Sequence, residues 1–153
     1  MKTKDIEIGQ SYTDKNISSI RKVVSIKDDM LTYKMMNTRY INRIGKEYKW
    51  EIKRFAQWAN AIYSKETVLN EFFANPNKNK HIVFKLKDEL TLEDFFKIDG
   101  VDPEDINNFT INDFKNVEIG DFSSSIFDEY NLRIKGNLFP CSREEIEKYF
   151  ELA

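Results

Sequence analysis

A catalytic nucleophile needs a base within reach, and a metal needs three or four converging donors. This 153-residue chain offers few such sets. His81 is the only histidine and stands beside Lys80 with no nucleophile near it in sequence, so it reads as a loop-to-strand residue. Cys141 is the only cysteine. It precedes a predicted helix N-terminus, where a thiolate is favoured, but no paired histidine can be placed, and it reads as a buried structural thiol. Asp99, Asp102, Glu104 and Asp105 gather oxygen donors in one turn, yet they miss the D-x-[DN]-x-[DN]-G spacing of calcium loops. No GxGxxG, GxxxxGK[ST], HExxH or CxxC occurs. The paired acids Glu93-Asp94 and Asp128-Glu129 are adjacent, so they point apart and read as solvated. The expectation is a non-enzymatic protein with no metal and no cofactor.

Two larger constellations remain. One is basic and aromatic: Arg21, Lys22, Lys34, Arg39, Arg43, Lys46, Lys49, Lys53 and Arg54, interleaved with Tyr33, Tyr40, Tyr48 and Trp50. Cations that contact phosphates and rings that stack on bases are what nucleic-acid binding requires. The other is an acidic belt between Asp88 and Glu129, with thirteen carboxylates against Lys97 and Lys115. Its members Asp88, Glu89, Glu93, Asp94, Asp99, Asp102, Glu104, Asp105 and Asp113 could present a phosphate-like array to a basic groove. Each constellation also has a plainer reading, as a basic surface over an aromatic core and as solubilising charge.

The net charge of −2 conceals this split. Residues 1–63 hold thirteen Lys/Arg against seven Asp/Glu, and residues 64–153 hold eleven against nineteen. Twelve Phe and seven Tyr supply core material, and one cysteine allows no internal disulfide. The first sixteen residues lack an apolar stretch, and no run of about 18 apolar residues occurs. No secretory signal, no membrane span and a cytoplasmic location are therefore expected.

The elements that must position these residues can be read from periodicity. Ile6, Ile8 and Tyr12 alternate. Val23, Val24 and Ile26, the Asp28-Asp29 turn and the extended Met30–Met36 form a hairpin signal. Tyr48, Trp50 and Ile52 share one face of a strand over Lys46–Ile52, after a turn at Gly45. From Lys53 the spacing of Phe55, Trp58, Ala59 and Ile62 is helical. Residues 1–63 thus predict a small antiparallel SH3-like sheet ending in a helix. Residues 64–153 predict an acidic α/β module with short helices, so the fold class is α+β. Within it, Ser64 caps a helix bearing Val68, Leu69, Phe72 and Phe73; Asn75–Asn79 is a boundary; and His81–Lys87 is a strand. Thr91 with Asp94 and Thr110 with Asp113 repeat one helix-start signature. Pro103 opens another short helix, Tyr130–Ile134 is a strand, and Ser142–Glu145 is a capping box before a helix using Ile146, Tyr149 and Phe150.

Gly9, Gln10 and Tyr12, then Arg21, Val23 and Ile26, then Phe55 and Trp58 resemble the G-Q-x-Y, R-x-V-x-x-I and F-x-x-W features of small SH3-like modules from phage and plasmid proteins. The resemblance covers about 60 residues. It implies a mobile-element origin and brings no catalytic residue. With the charge split, it suggests a host-defence inhibitor of the anti-CRISPR type, acting by contact with a nucleic-acid-handling host protein. The alternative is a nucleic-acid-binding accessory module that uses the basic half.

Overall fold

The motif Arg21, Val23, Ile26 is a period of two followed by a step of three, which a flat strand cannot place on one face. The computed structural model, which describes residues 1–76, 82–98, 101–120 and 130–153, resolves this with bulges. Strand β2 (Ser19–Lys27) pairs antiparallel with β3 (Met30–Thr38), and the register slips between Ile20 and Arg21 and between Val23 and Ser25. Val24 and Met36 are the extra residues, and both are exposed. The slips bring Arg21, Val23 and Ile26 opposite Met35, Tyr33 and Leu31. Asp28 takes φ +56° in the expected Asp28-Asp29 turn, a conformation aspartate tolerates better than most residues.

β1 (Ser11–Thr13) lies beyond β2, and β4 (Glu47–Glu51) beyond β3. Helix α1 (Ile52–Trp58) follows β4, and β5 (Ala61–Ile62) returns to pair with β1. The sheet order is β4-β3-β2-β1-β5, antiparallel throughout. One face carries Tyr12, Val23, Leu31, Tyr33 and Met35, packed with Phe55, Ala56 and Ala59 of α1 and its C-terminal end and with Ile6. Tyr12 is fully buried, and its hydroxyl accepts from the Glu7 amide and donates to the Asp5 carbonyl. Helix α2 (Lys65–Ala74) begins as expected, with the Ser64 hydroxyl accepting from the Thr67 amide.

The chain divides into two units, Met1–Ile82 and Val83–Ala153. The division falls later than the 63/64 boundary read from the sequence, because α2 goes with the first unit. In the second unit, β7 (Glu118–Gly120), β8 (Tyr130–Ile134) and β9 (Asn137–Cys141) form one antiparallel sheet. A second sheet pairs β6 (Phe84–Leu86) with β10 (Phe150–Leu152). Phe84 and Val117 exchange backbone hydrogen bonds and join the two. The three box-type helix starts close as capping boxes: Thr91/Asp94 on α3 (Leu92–Phe95), Thr110/Asp113 on the 3-10 segment Ile111–Phe114, and Ser142/Glu145 on α4 (Arg143–Tyr149). Phe95 is at the centre of a ring cluster with Phe96, Phe114, Phe139 and Phe150.

Four expectations are corrected. Ile8 is 62% exposed and does not share the face of Ile6 and Tyr12. Ile52 starts α1 rather than ending β4, because the chain turns helical there. α1 stops at Trp58, and Ile62 is an exposed β5 residue. Phe150 is not on the face of α4; it opens β10, whose backbone pairs with β6.

Candidate nucleic-acid interface

Pairing across an antiparallel sheet puts opposed residues on the same face. Lys22 faces Lys34, Lys34 faces Glu47, and Thr32 faces both Ser25 and Lys49. These residues form the outer face, where Ser25, Lys27, Asp28, Met30, Thr32 and Lys49 line a shallow cavity of about 310 Å³. Tyr33, Tyr48 and Trp50 belong to the opposite face. The sheet therefore separates Lys22, Lys34 and Lys49 from the aromatic residues with which they are interleaved in sequence. Lysines occupy one side, and the rings on the other side pack with each other and with α1.

The rings keep guanidinium company instead. Arg21 lies 4.8 Å from the Tyr33 ring centroid, 4.6 Å from Trp50 and 4.2 Å from Trp58. Its Nε donates to the buried Ser19 hydroxyl at 3.0 Å, and its Nη1 is buried with no hydrogen-bond partner. Burial lowers the Arg21 pKa against the opposing pull of Tyr33 and Asp14, and the nearby charges of Arg54 and Arg43 lower it further. Burial raises the Tyr33 pKa, with Arg21 acting against it. Arg54, four residues before Trp58 on the same side of α1, sits 4.2 Å from the Trp50 ring. Tyr48, Trp50 and Trp58 are only partly buried, so one border of this stack is open to solvent.

Arg43 lies in the β3–β4 connection. That connection carries a 3-10 turn, Ile41–Arg43, closed by Gly45 at φ +85°. The Gly45 amide donates to the Met35 carbonyl at 2.7 Å, and the Met35 amide to Lys46 at 2.9 Å. Tyr40 projects here, 46% exposed, with Arg39 at 4.8 Å and Arg43 at 4.7 Å from its ring centroid. Arg39 donates to the Tyr40 hydroxyl at 2.7 Å, and this bond lowers the tyrosine pKa.

Among the described residues, none of Arg21, Lys22, Lys34, Arg39, Arg43, Lys49 and Arg54 is in an ion pair. The pairs Lys85–Asp88, Lys85–Glu151 and Arg143–Glu147 all lie in the second unit. Lys46 and Lys53 are exposed.

The acidic residues divide by role. Asp94 and Asp113 accept from the Thr91 and Thr110 amides, Asp102 accepts from the Glu104 amide, and Asp88 is held by Lys85. Glu89, Glu93 and Glu104 are exposed and Asp105 is partly so. Asp99 and His81 lie outside the described residues. Cys141 is buried in β9, before the capping residue of α4. Among the described residues, no three His, Cys, Asp or Glu side chains gather to hold a metal. Nor is any described helix long and apolar enough to cross a membrane.

Sequence reasoning named Arg21, Arg54 and Trp50 in one constellation but missed that Trp58 joins them, since 37 positions separate it from Arg21. The spacing Trp50, Arg54, Trp58 was the available signal: a strand that ends in a helix puts these three on one side. No family model, no curated protein and no solved structure matches the chain.

Proposed function

We propose that the first unit is an SH3-like module that binds nucleic acid through an arginine–aromatic patch in which Arg39, Arg43 and Arg54 are exposed beside the ring-enclosed Arg21. The observation that carries this reading is a cluster of like charges in no ion pair among the described residues, set against partly exposed rings. Mutual repulsion in such a cluster is relieved by a polyanion, and phosphates with flanking bases meet both of its components. The unit as a whole holds sixteen Lys/Arg against nine Asp/Glu, in the same sense. The SH3-like reading is supported by the sheet order, in which a helix separates β4 from β5 and β5 returns to β1. Fluorescence anisotropy with a labelled oligonucleotide tests the proposal. Affinity should fall steeply with salt, with a log–log slope of about −2 to −3 for three or four phosphate contacts on a single strand. A flat salt response, or no binding at low salt, sinks it.

A second reading concerns the other unit. Glu89, Glu93, Glu104 and Asp105 are acids with no part in capping and no ion pair among the described residues. They support the anti-CRISPR-type role, in which a phage or mobile-element protein occupies the basic groove of a host nucleic-acid-handling protein. Changing all four to Gln or Asn should abolish capture of that host protein from lysate while leaving oligonucleotide binding intact. Undiminished capture removes the inhibitor reading.

A further inference from the structure

We propose that the Arg39–Tyr40–Arg43 turn is a base-stacking element, and that the ligand of the first unit is single-stranded nucleic acid. The inference rests on the nucleic-acid reading above and deepens it. Of the rings in the basic half, Tyr33 is buried, and Tyr48 and Trp50 are engaged with Tyr33. Tyr40 has no ring neighbour among the described aromatic pairs and is 46% exposed. Its companions are planar guanidiniums at 4.8 and 4.7 Å. Bases stack on aromatic rings and on guanidinium planes alike, so this exposed turn gathers three π-groups and two positive charges.

The geometry is held before any ligand arrives. The Arg43 amide donates to the Tyr40 carbonyl at 2.9 Å, and the Ile44 amide to Ile41 at 3.2 Å. The Tyr40 amide donates to the buried Thr38 hydroxyl at 3.4 Å. The ring hydroxyl is fixed by Arg39 at 2.7 Å. A fixed ring costs little entropy on binding. Unpaired bases expose the faces such a ring needs, whereas a duplex stacks them against each other. The charge of Arg43 also acts on Arg21 and Tyr33, lowering the pKa of both.

The test uses the full chain and three labelled probes of about 16 nucleotides, a length that spans one module. These are oligothymidylate, oligouridylate and the oligothymidylate–oligoadenylate duplex. The single strands should bind tighter than the duplex. Tyr40→Ala should weaken single-strand binding by about fivefold to a hundredfold, the range for one lost base stack. Tyr40→Trp should restore it, and the duplex should change by less than about twofold, within the error of one weak contact. Unchanged far-ultraviolet circular dichroism and an unchanged urea midpoint show that the variants are folded. Equal loss on duplex and single strand would identify an intercalating wedge instead and overturn the inference. Unchanged single-strand affinity in Tyr40→Ala would overturn it too, while leaving phosphate binding standing. If the wild-type chain binds none of the probes, both this inference and the nucleic-acid reading fall. Thymidylate against uridylate separates a DNA ligand from an RNA one.

Discussion

Replacing Phe95 with Ala is expected to unfold the second unit at room temperature or leave it close to its midpoint. Phe95 is fully buried on α3 and meets four rings: Phe114 at 4.9 Å, Phe96 at 5.1 Å, Phe139 at 5.5 Å and Phe150 at 5.8 Å. Three of these come from other elements, the 3-10 turn, β9 and β10, so one side chain ties together segments that share no hydrogen-bonded ladder. Phe→Ala in a core costs about 3–5 kcal/mol, through lost transfer energy and the cavity left behind. A unit of about 70 residues holds only about 4–10 kcal/mol in total. Urea denaturation followed by circular dichroism measures the outcome. Phe95→Leu should recover most of the loss, since it refills most of the volume. A Phe95→Ala midpoint within about 0.5 kcal/mol of wild type would mean that the ring cluster is not the core of this unit.

The double charge reversal Arg43→Glu and Arg54→Glu is expected to weaken oligonucleotide binding by about a hundredfold at low salt, roughly tenfold for each contact worth 1.4 kcal/mol. Both side chains are exposed, so the change leaves the core alone. Arg43 neighbours Tyr40, and Arg54 covers Trp50, so the pair spans the patch from the turn to α1. Two lost phosphate contacts should also flatten the log–log salt dependence on a single strand by about 1.4. Reversing Lys22 and Lys34 on the outer face is the matched control, equal in charge and placed across the sheet. Equal losses from both pairs would show that net charge alone drives binding. Loss from the arginine pair but not from the lysines would place the ligand on the ring side.

Local chemistry was legible in the sequence because it acts over a few residues. Thr91 with Asp94, Thr110 with Asp113 and Ser142 with Glu145 each need only three residues' separation to close a box, and each closes. The Asp28-Asp29 turn and the one-sided Tyr48 and Trp50 were visible for the same reason. What failed depended on partners far along the chain. Phe150 has the spacing of a helical core residue, but β6, more than sixty positions earlier, draws its backbone into a ladder. The charged patch was half legible. Its members could be named, but which of them share a face depends on the bulges at Val24 and Met36, and period-two reading passes over a bulge. Arg21 was counted among the surface cations, yet α1 and β4 enclose it in rings.

Cys141 has a use unrelated to catalysis. Its thiol is 1% exposed in β9, so a water-soluble alkylating reagent reaches it only when the second unit opens. Trp50 and Trp58 are the only two tryptophans, and both lie in the first unit. Alkylation rate and indole emission therefore act as two clocks in one intact chain, each timing the opening of a different half. The order in which the halves come apart, and whether a bound oligonucleotide slows one clock or both, can be followed without cutting the chain or adding a label to either unit.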